Sequence, residues 1–137
     1  MNLSALAKKF LAHDPVAAGQ GDDTSDAIDC ESMDRVLFEL VTGTNTDLGK
    51  ITMKITECAS SGGTYADVAE KEFETGGKNS TIYQLDAPIT KRYVKTEYDL
   101  TTQDTQVACG IVSVYYGKKI PTDIGSAANR INGREIK

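Results

Sequence analysis

Lys50-Ile51-Thr52-Met53-Lys54-Ile55-Thr56-Glu57-Cys58 decides the fold class. Ile51, Met53 and Ile55 fall on one side of an extended chain, and Thr52, Lys54 and Thr56 on the other. A period of two with one apolar face is the pattern of a half-buried antiparallel strand. Upstream, Arg35-Val36-Leu37-Phe38-Glu39-Leu40-Val41-Thr42 reads the same way, with Val36, Phe38 and Leu40 on one face. A turn rich in Gly, Thr, Asn and Asp joins the two over residues 43–49.

Downstream, Ser60-Ser61-Gly62-Gly63 is a loop and Gly76-Gly77-Lys78-Asn79 a turn. Residues 65–74 fit a helical turn or an edge strand equally well. Thr81 to Leu85 reads as a strand that Pro88 stops. Residues 92–100 form the next strand, with Val94, Thr96, Tyr98 and Leu100 on one face. Residues 107–116 are apolar on nearly both faces, which predicts a central strand. Gly117-Lys118-Lys119-Ile120-Pro121 ends it, and 122–137 is a polar tail without a period. Five or six strands parted by turn signals predict an all-β fold, an antiparallel β-sandwich or small barrel.

The N-terminal part reads differently. Leu3, Leu6, Ala7, Phe10 and Leu11 recur at helical spacing over residues 2–13, with Asn2 as a cap and Pro15 beyond the end. The expectation is a short amphipathic helix, docked on its own domain or on a neighbouring subunit, because a helix of under ~12–15 residues is marginal alone. Residues 14–34, with Pro15, Gly19, Gly21, Asp22, Asp23 and Asp26, read as a connector. The division expected is a helix and arm over 1–26, a β domain over 27–121 and a tail over 122–137. On that division, removing residues 1–14 leaves the domain folded.

The 137 residues suit one domain, and a hydrophobic share of 39% fits a globular chain. No apolar run approaches the ~20 residues of a membrane helix, and Lys8 and Lys9 interrupt what could pass for a leader. A net charge of −5, from 15 basic and 20 acidic residues, is unfavourable for wrapping nucleic acid. Cys30, Cys58 and Cys109 are odd in number and widely spaced, so they predict structural thiols and neither a zinc site nor a redox motif.

No residue pattern announces catalysis. His13 is the one histidine, and at a helix end its expected part is a favourable contact with the helix C-terminus. Asp22, Asp23 and Asp26 lack the loop glycine and distal glutamate of a calcium hand. The Gly-Gly turns do not match a phosphate loop. The sequons at Asn2 and Asn79 stand without a secretory signal. Glu39, Glu57 and Glu97 fall on polar strand faces. No catalytic, metal or cofactor residue is therefore assigned. Lys91-Arg92-Tyr93-Val94-Lys95 is the one basic, aromatic-bearing segment, and Arg92 could pair with a carboxylate of another chain.

From residue 35 to residue 121 a resemblance builds up. Its elements are Ala27-Ile28-Asp29, the strand 35–41, the strand 49–55, Ala66-Asp67-Val68, Lys91-Arg92-Tyr93-Val94, and Tyr116-Gly117-Lys118-Lys119-Ile120-Pro121. Over residues 27–121 the chain resembles small virion proteins of tailed bacteriophages, of the capsid cement or decoration type. The terminal helix and the position of Pro88 depart from that pattern. The resemblance implies a protein on the capsid exterior, assembled in the host cytoplasm and forming a dimer or trimer. Its partner would be the major capsid protein, with no cofactor, membrane or direct nucleic-acid contact. The interface residues expected on this reading are Leu3, Leu6, Phe10 and Leu11 as apolar anchors, with Lys91, Arg92 and Tyr93. The rival readings are a head–tail connector or tail component, and a carbohydrate-binding sandwich using Tyr65, Tyr83, Tyr93, Tyr98, Tyr115 or Tyr116.

Overall fold

The computed structural model describes residues 7–17, 21–45, 49–75, 78–100 and 105–115. Every regular element among them is a strand. These are β1 (Ala7–His13), β2 (Asp22–Thr24), β3 (Ile28–Asp29), β4 (Arg35–Asn45), β5 (Lys50–Cys58), β6 (Ala66–Glu74), β7 (Ile82–Pro88), β8 (Tyr93–Leu100) and β9 (Thr105–Tyr115). They pair antiparallel into a four-stranded sheet, β1-β9-β4-β7, and a five-stranded sheet, β2-β8-β5-β6 with β3 also on β8.

β2 lies beside residues 97–99 of β8 and β3 beside residues 93–94, so the two are halves of one edge strand. Across the break, the Ser25 amide donates to the Thr96 carbonyl at 2.9 Å, and the Thr96 amide donates to Ser25 Oγ at 3.0 Å. With β2 and β3 counted as one, the described residues pass through eight strands whose sheets run 1-8-3-6 and 2-7-4-5. That order is a jelly roll, an antiparallel sandwich of two interlocked Greek keys.

The alternation read from the sequence forms the core. Val36, Phe38 and Leu40 of β4 and Val112 and Val114 of β9 point inward from one sheet. Ile51, Met53 and Ile55 of β5 and Val94, Tyr98 and Leu100 of β8 meet them from the other. Removing the bulk of a fully buried side chain such as Phe38 costs about 3–5 kcal/mol. β9 is central, as its two apolar faces predict, with β1 on one side and β4 on the other. Residues 66–74 form an edge strand. Pro88 is the last residue of β7, opposite Arg35, at a sheet edge where its missing N–H costs nothing.

The expected N-terminal helix is not there. Residues 7–13 are an edge strand hydrogen-bonded along β9, from Ala7 opposite Tyr115 to His13 opposite Gly110. A helix of that length has only its own weak propensity to hold it. The ladder offered by β9 gives the same residues backbone partners and a place over the core. The stretch read as a connector is also built in, supplying β2, β3 and a bridge from Val16 to Val107. Leu3, Leu6 and the tail 122–137 lie outside the described residues.

Candidate docking surface

In a strand, neighbouring side chains point to opposite faces. In β1 this separates two residues that helical spacing had put together. Phe10 stands opposite Val112 and packs against the core, while Leu11 stands opposite Ile111 on the outer face and is 66% exposed. Outward residues of the neighbouring strands extend the apolar surface: Ile111 and Cys109 of β9, Leu37 and Val41 of β4, and Ile82 of β7, which is 57% exposed. Two features are polar. Glu39 accepts from Gln84 Nε2 at 2.7 Å. Ser113, between Lys9 and Leu37, is buried, and its Oγ has no hydrogen-bond partner among the described residues. One corner is closed by a network. Arg35 Nη2 donates to Asp86 at 2.8 Å and Tyr115 Oη donates to the same carboxylate at 2.8 Å. Burial and Asp86 together push the Tyr115 hydroxyl up to about 12.

The outer face of the other sheet is charged. Lys50 reaches Glu72 at 2.8 Å and Lys54 reaches Glu70 at 3.3 Å. Asp67, Glu74, Glu97 and Asp99 add to the acidic side. Exposed pairs of this kind contribute little to stability, but they keep the β6 edge soluble. The two faces of the sandwich are therefore chemically distinct.

His13 follows a bulge after Leu11 and turns into the sandwich. Its side chain is fully buried, with Nδ1 2.6 Å from Asp23 Oδ2 and Nε2 2.9 Å from Thr96 Oγ1. A carboxylate only accepts, so Nδ1 carries a hydrogen and donates to Asp23, while Nε2 and the Thr96 hydroxyl share the second hydrogen bond. The ring packs on Phe38 at 5.3 Å and on Tyr98 at 5.1 Å. It is not at a helix end, as expected, but bolts β1 to the opposite sheet. A threonine, histidine and aspartate in this order match a hydrolytic triad in chemistry. Thr96 is 0% exposed, however, so no substrate can reach its oxygen. Among the described residues no three His, Cys, Asp or Glu side chains are grouped to hold a metal.

Arg92 forms a fork with Asp29 of its own chain, Nε to Oδ1 at 2.9 Å and Nη2 to Oδ2 at 2.7 Å, and its guanidinium lies over Tyr93. The hydrogen bond from Arg92 holds the Asp29 carboxyl below its usual range. Lys91 is exposed, and its amide, with the Thr90 amide and hydroxyl, donates to Glu57. Burial alone would raise the Glu57 pKa, but these three bonds outweigh it and bring the carboxyl below its usual range. Lys91, Arg92 and Tyr93 thus form a braced loop at one end of the sandwich, remote in register from Leu11. Of the apolar anchors expected, only Leu11 is both described and open. Leu37, Val41, Ile82 and Ile111 were not singled out. The alternation of strand 35–42 assigns only Val36, Phe38 and Leu40 to a face and leaves Leu37 and Val41 unread, and the apolar run around Ile111-Val112 reads simply as a central strand.

Of the tyrosines expected of a sugar platform, Tyr116 lies outside the described residues and the others make contacts within the chain. Tyr83 and Tyr98 are buried, Lys95 lies 4.8 Å over Tyr65, and Tyr93 carries Arg92. Cys30, Cys58 and Cys109 are free thiols, and burial pushes Cys30 up to about 12.

No family model and no curated protein matches the chain. Solved structures do. A chain from the structure of infectious bursal disease virus, Gx strain, superposes with a TM-score of 0.52 over 83% of this chain at 16% identity. A chain from the T13 particle of the same virus gives 0.50 over 81% at 13% identity. This chain spans about a third of each, 33% and 31%. The C-terminal carbohydrate-binding module of LamC from Zobellia galactanivorans, at 10% identity and a TM-score of 0.49, covers 77% of this chain and 98% of its own; that likeness is too low to carry an argument. At these identities the viral likeness establishes the fold alone: the chain is a β-sandwich of a kind also found in virus particles.

Proposed function

We propose that this chain is a structural virion protein of a tailed phage, a cement protein that binds the capsid exterior through the outer face of β1-β9-β4-β7. The observation that carries this reading is that open apolar sheet face, on a sandwich whose one triad-like cluster among the described residues keeps its threonine buried. A contiguous apolar patch with a polar rim is what a protein-binding surface requires. The resemblance over residues 27–121 agrees with it. Its Ile-Asp and Lys-Arg-Tyr-Val elements are the two ends of the Asp29–Arg92 fork, which gives both motifs a common structural purpose. The partner is the major capsid protein, binding is non-covalent, no cofactor takes part, and repetition over the shell multiplies modest contacts. The chain works as a dimer or trimer.

The test is the copy number of this chain in purified particles, by quantitative mass spectrometry against the major capsid protein. A simple ratio to the capsid subunit is expected. About a dozen copies would move the protein to the neck or tail, and absence from the particle would sink the assignment.

A further inference from the structure

Among the described residues the two sheets present four edges, and three of them are guarded. β1 carries Lys8 and Lys9, both exposed. β6 carries Glu70, Lys71, Glu72 and Glu74, all exposed. The edge made by β2 and β3 is acidic at Asp22 and Asp23 and broken at Ser25. Charges and breaks of this sort stop an edge from pairing with another chain. β7 has neither. Its one charged residue, Asp86, is already held by Arg35 and Tyr115.

The backbone of β7 is aligned for pairing. The Thr42 amide donates to the Thr81 carbonyl at 2.9 Å, and the Ile89 amide donates to the Asp34 carbonyl at 2.9 Å. In an antiparallel ladder every second pair exchanges both bonds. Tyr83, Leu85 and Ala87 therefore bond to β4, opposite Leu40, Phe38 and Val36. The amides and carbonyls of Ile82, Gln84 and Asp86 point the other way, where the sheet order has no further strand. β6 comes up beneath, its Phe73 ring 5.2 Å from that of Tyr83, but does not join this sheet. Both ends of the free row are fixed. Ser80 leaves the extended conformation, with φ at 50°, and Pro88 has no N–H to give. Gln84 lies midway between them.

A row bounded on both sides of Gln84 is self-complementary. Laid antiparallel on a second copy, Gln84 against Gln84, it sets Ile82 opposite Asp86 and Asp86 opposite Ile82. Each of these pairs exchanges two hydrogen bonds, about six in all, and no like charges meet. A shift by one pair brings Pro88 into the ladder and loses bonds. The same operation on β6 sets Glu72 against Glu72 and Glu70 against Glu74, which repel.

We propose that two copies of this chain associate through β7, edge to edge and antiparallel about Gln84, into one continuous sheet. A two-fold axis normal to that sheet keeps the outer faces of both copies on the same side. The apolar surfaces around Leu11, Ile82 and Ile111 then form one surface. On a shell it binds through both halves at once, a use that rests on the function proposed above; the dimer itself does not.

Sedimentation equilibrium on the free chain, at tens of micromolar, is expected to give twice the mass of one copy. A monomer or a trimer overturns the proposal. Gln84→Pro removes the central outward amide and leaves every β4–β7 bond in place, since a strand edge tolerates proline. It is expected to weaken association by about tenfold or more, with cooperative melting of the sandwich retained. Association of undiminished strength overturns the edge. Cross-linking tests the same pairing without altering the backbone. In a chain carrying Cys58→Ser and Cys109→Ser, with Cys30 buried, Gln84→Cys brings two Cα atoms to about 5.5 Å across the axis. A short bis-maleimide is expected to give a covalent dimer there and none from Leu11→Cys, at the opposite edge of the sheet. Equal yields from the two, or a dimer from Leu11→Cys alone, overturn the proposal. All three measurements use free protein, so absence from particles removes the cement reading and leaves the dimer standing, and a monomer does the reverse.

Discussion

His13 and Gly110 are a matched pair of residues. A Cβ built on Gly110 would lie 2.6 Å from Cδ2 of His13, a distance at which the ring has to move. The ring cannot move freely, because Asp23 and Thr96 hold its two nitrogens and Phe38 and Tyr98 hold its faces. Gly110→Ala is therefore expected to destabilise the fold by about 1–3 kcal/mol through overpacking. His13→Ala, which leaves a cavity and orphans the Thr96 hydroxyl, should cost roughly 2–4 kcal/mol. Chemical denaturation monitored by tyrosine fluorescence measures both. Glu57 sets a different kind of dependence. Its folded pKa lies below its ordinary value, so its contribution is fully present above that value and is lost as pH falls through the folded one. Glu57→Gln should flatten the acid limb of a stability–pH curve and leave the neutral plateau lower. None of this could be read from His13 in the sequence. A lone histidine shows neither its cross-sheet partners, 10 and 83 residues away, nor the bulge that turns it inward.

At the scale of the element, β1 shows how one string of residues satisfies two periods. Phe10 and Leu11 share a face in a helix and lie on opposite faces in a strand, and the choice was made by β9, a hundred residues away. Local propensity cannot contain that information. The consequence is a sharp contrast between neighbours. Phe10→Ser should lower stability by about 1–3 kcal/mol. Leu11→Ser should change it by under ~0.5 kcal/mol while weakening particle binding, which co-sedimentation with purified shells would register. The strands β4, β5, β8 and β9 were legible because each carries its own alternation or its own apolar run. The candidate surface was legible only in Leu11. An apolar residue on the second face of a strand reads the same whether another layer covers it or solvent meets it.

For the whole molecule, the jelly-roll order distributes the chain so that most sequence neighbours lie in opposite sheets, the β5–β6 hairpin excepted. Most of its pairing is non-local, which is the topology expected to fold slowly. It also revises what the N-terminal residues contribute. Removing residues 1–14 deletes β1 and the histidine bolt and strips one side from β9, so the shortened chain is expected to lose cooperative thermal unfolding, as calorimetry would reveal. A separable arm would predict no such loss.

Ala7 stands opposite Tyr115 in the ladder, so the two ends of the sandwich emerge side by side from a single point. Tension applied between them opens the β1–β9 ribbon like a zipper, one hydrogen-bonded pair after another, and never shears many bonds at once. β1 peels away first and the remaining strands are spared the load. In mechanical terms the first strand is a fuse, set to yield at low force before the body of the sandwich is strained.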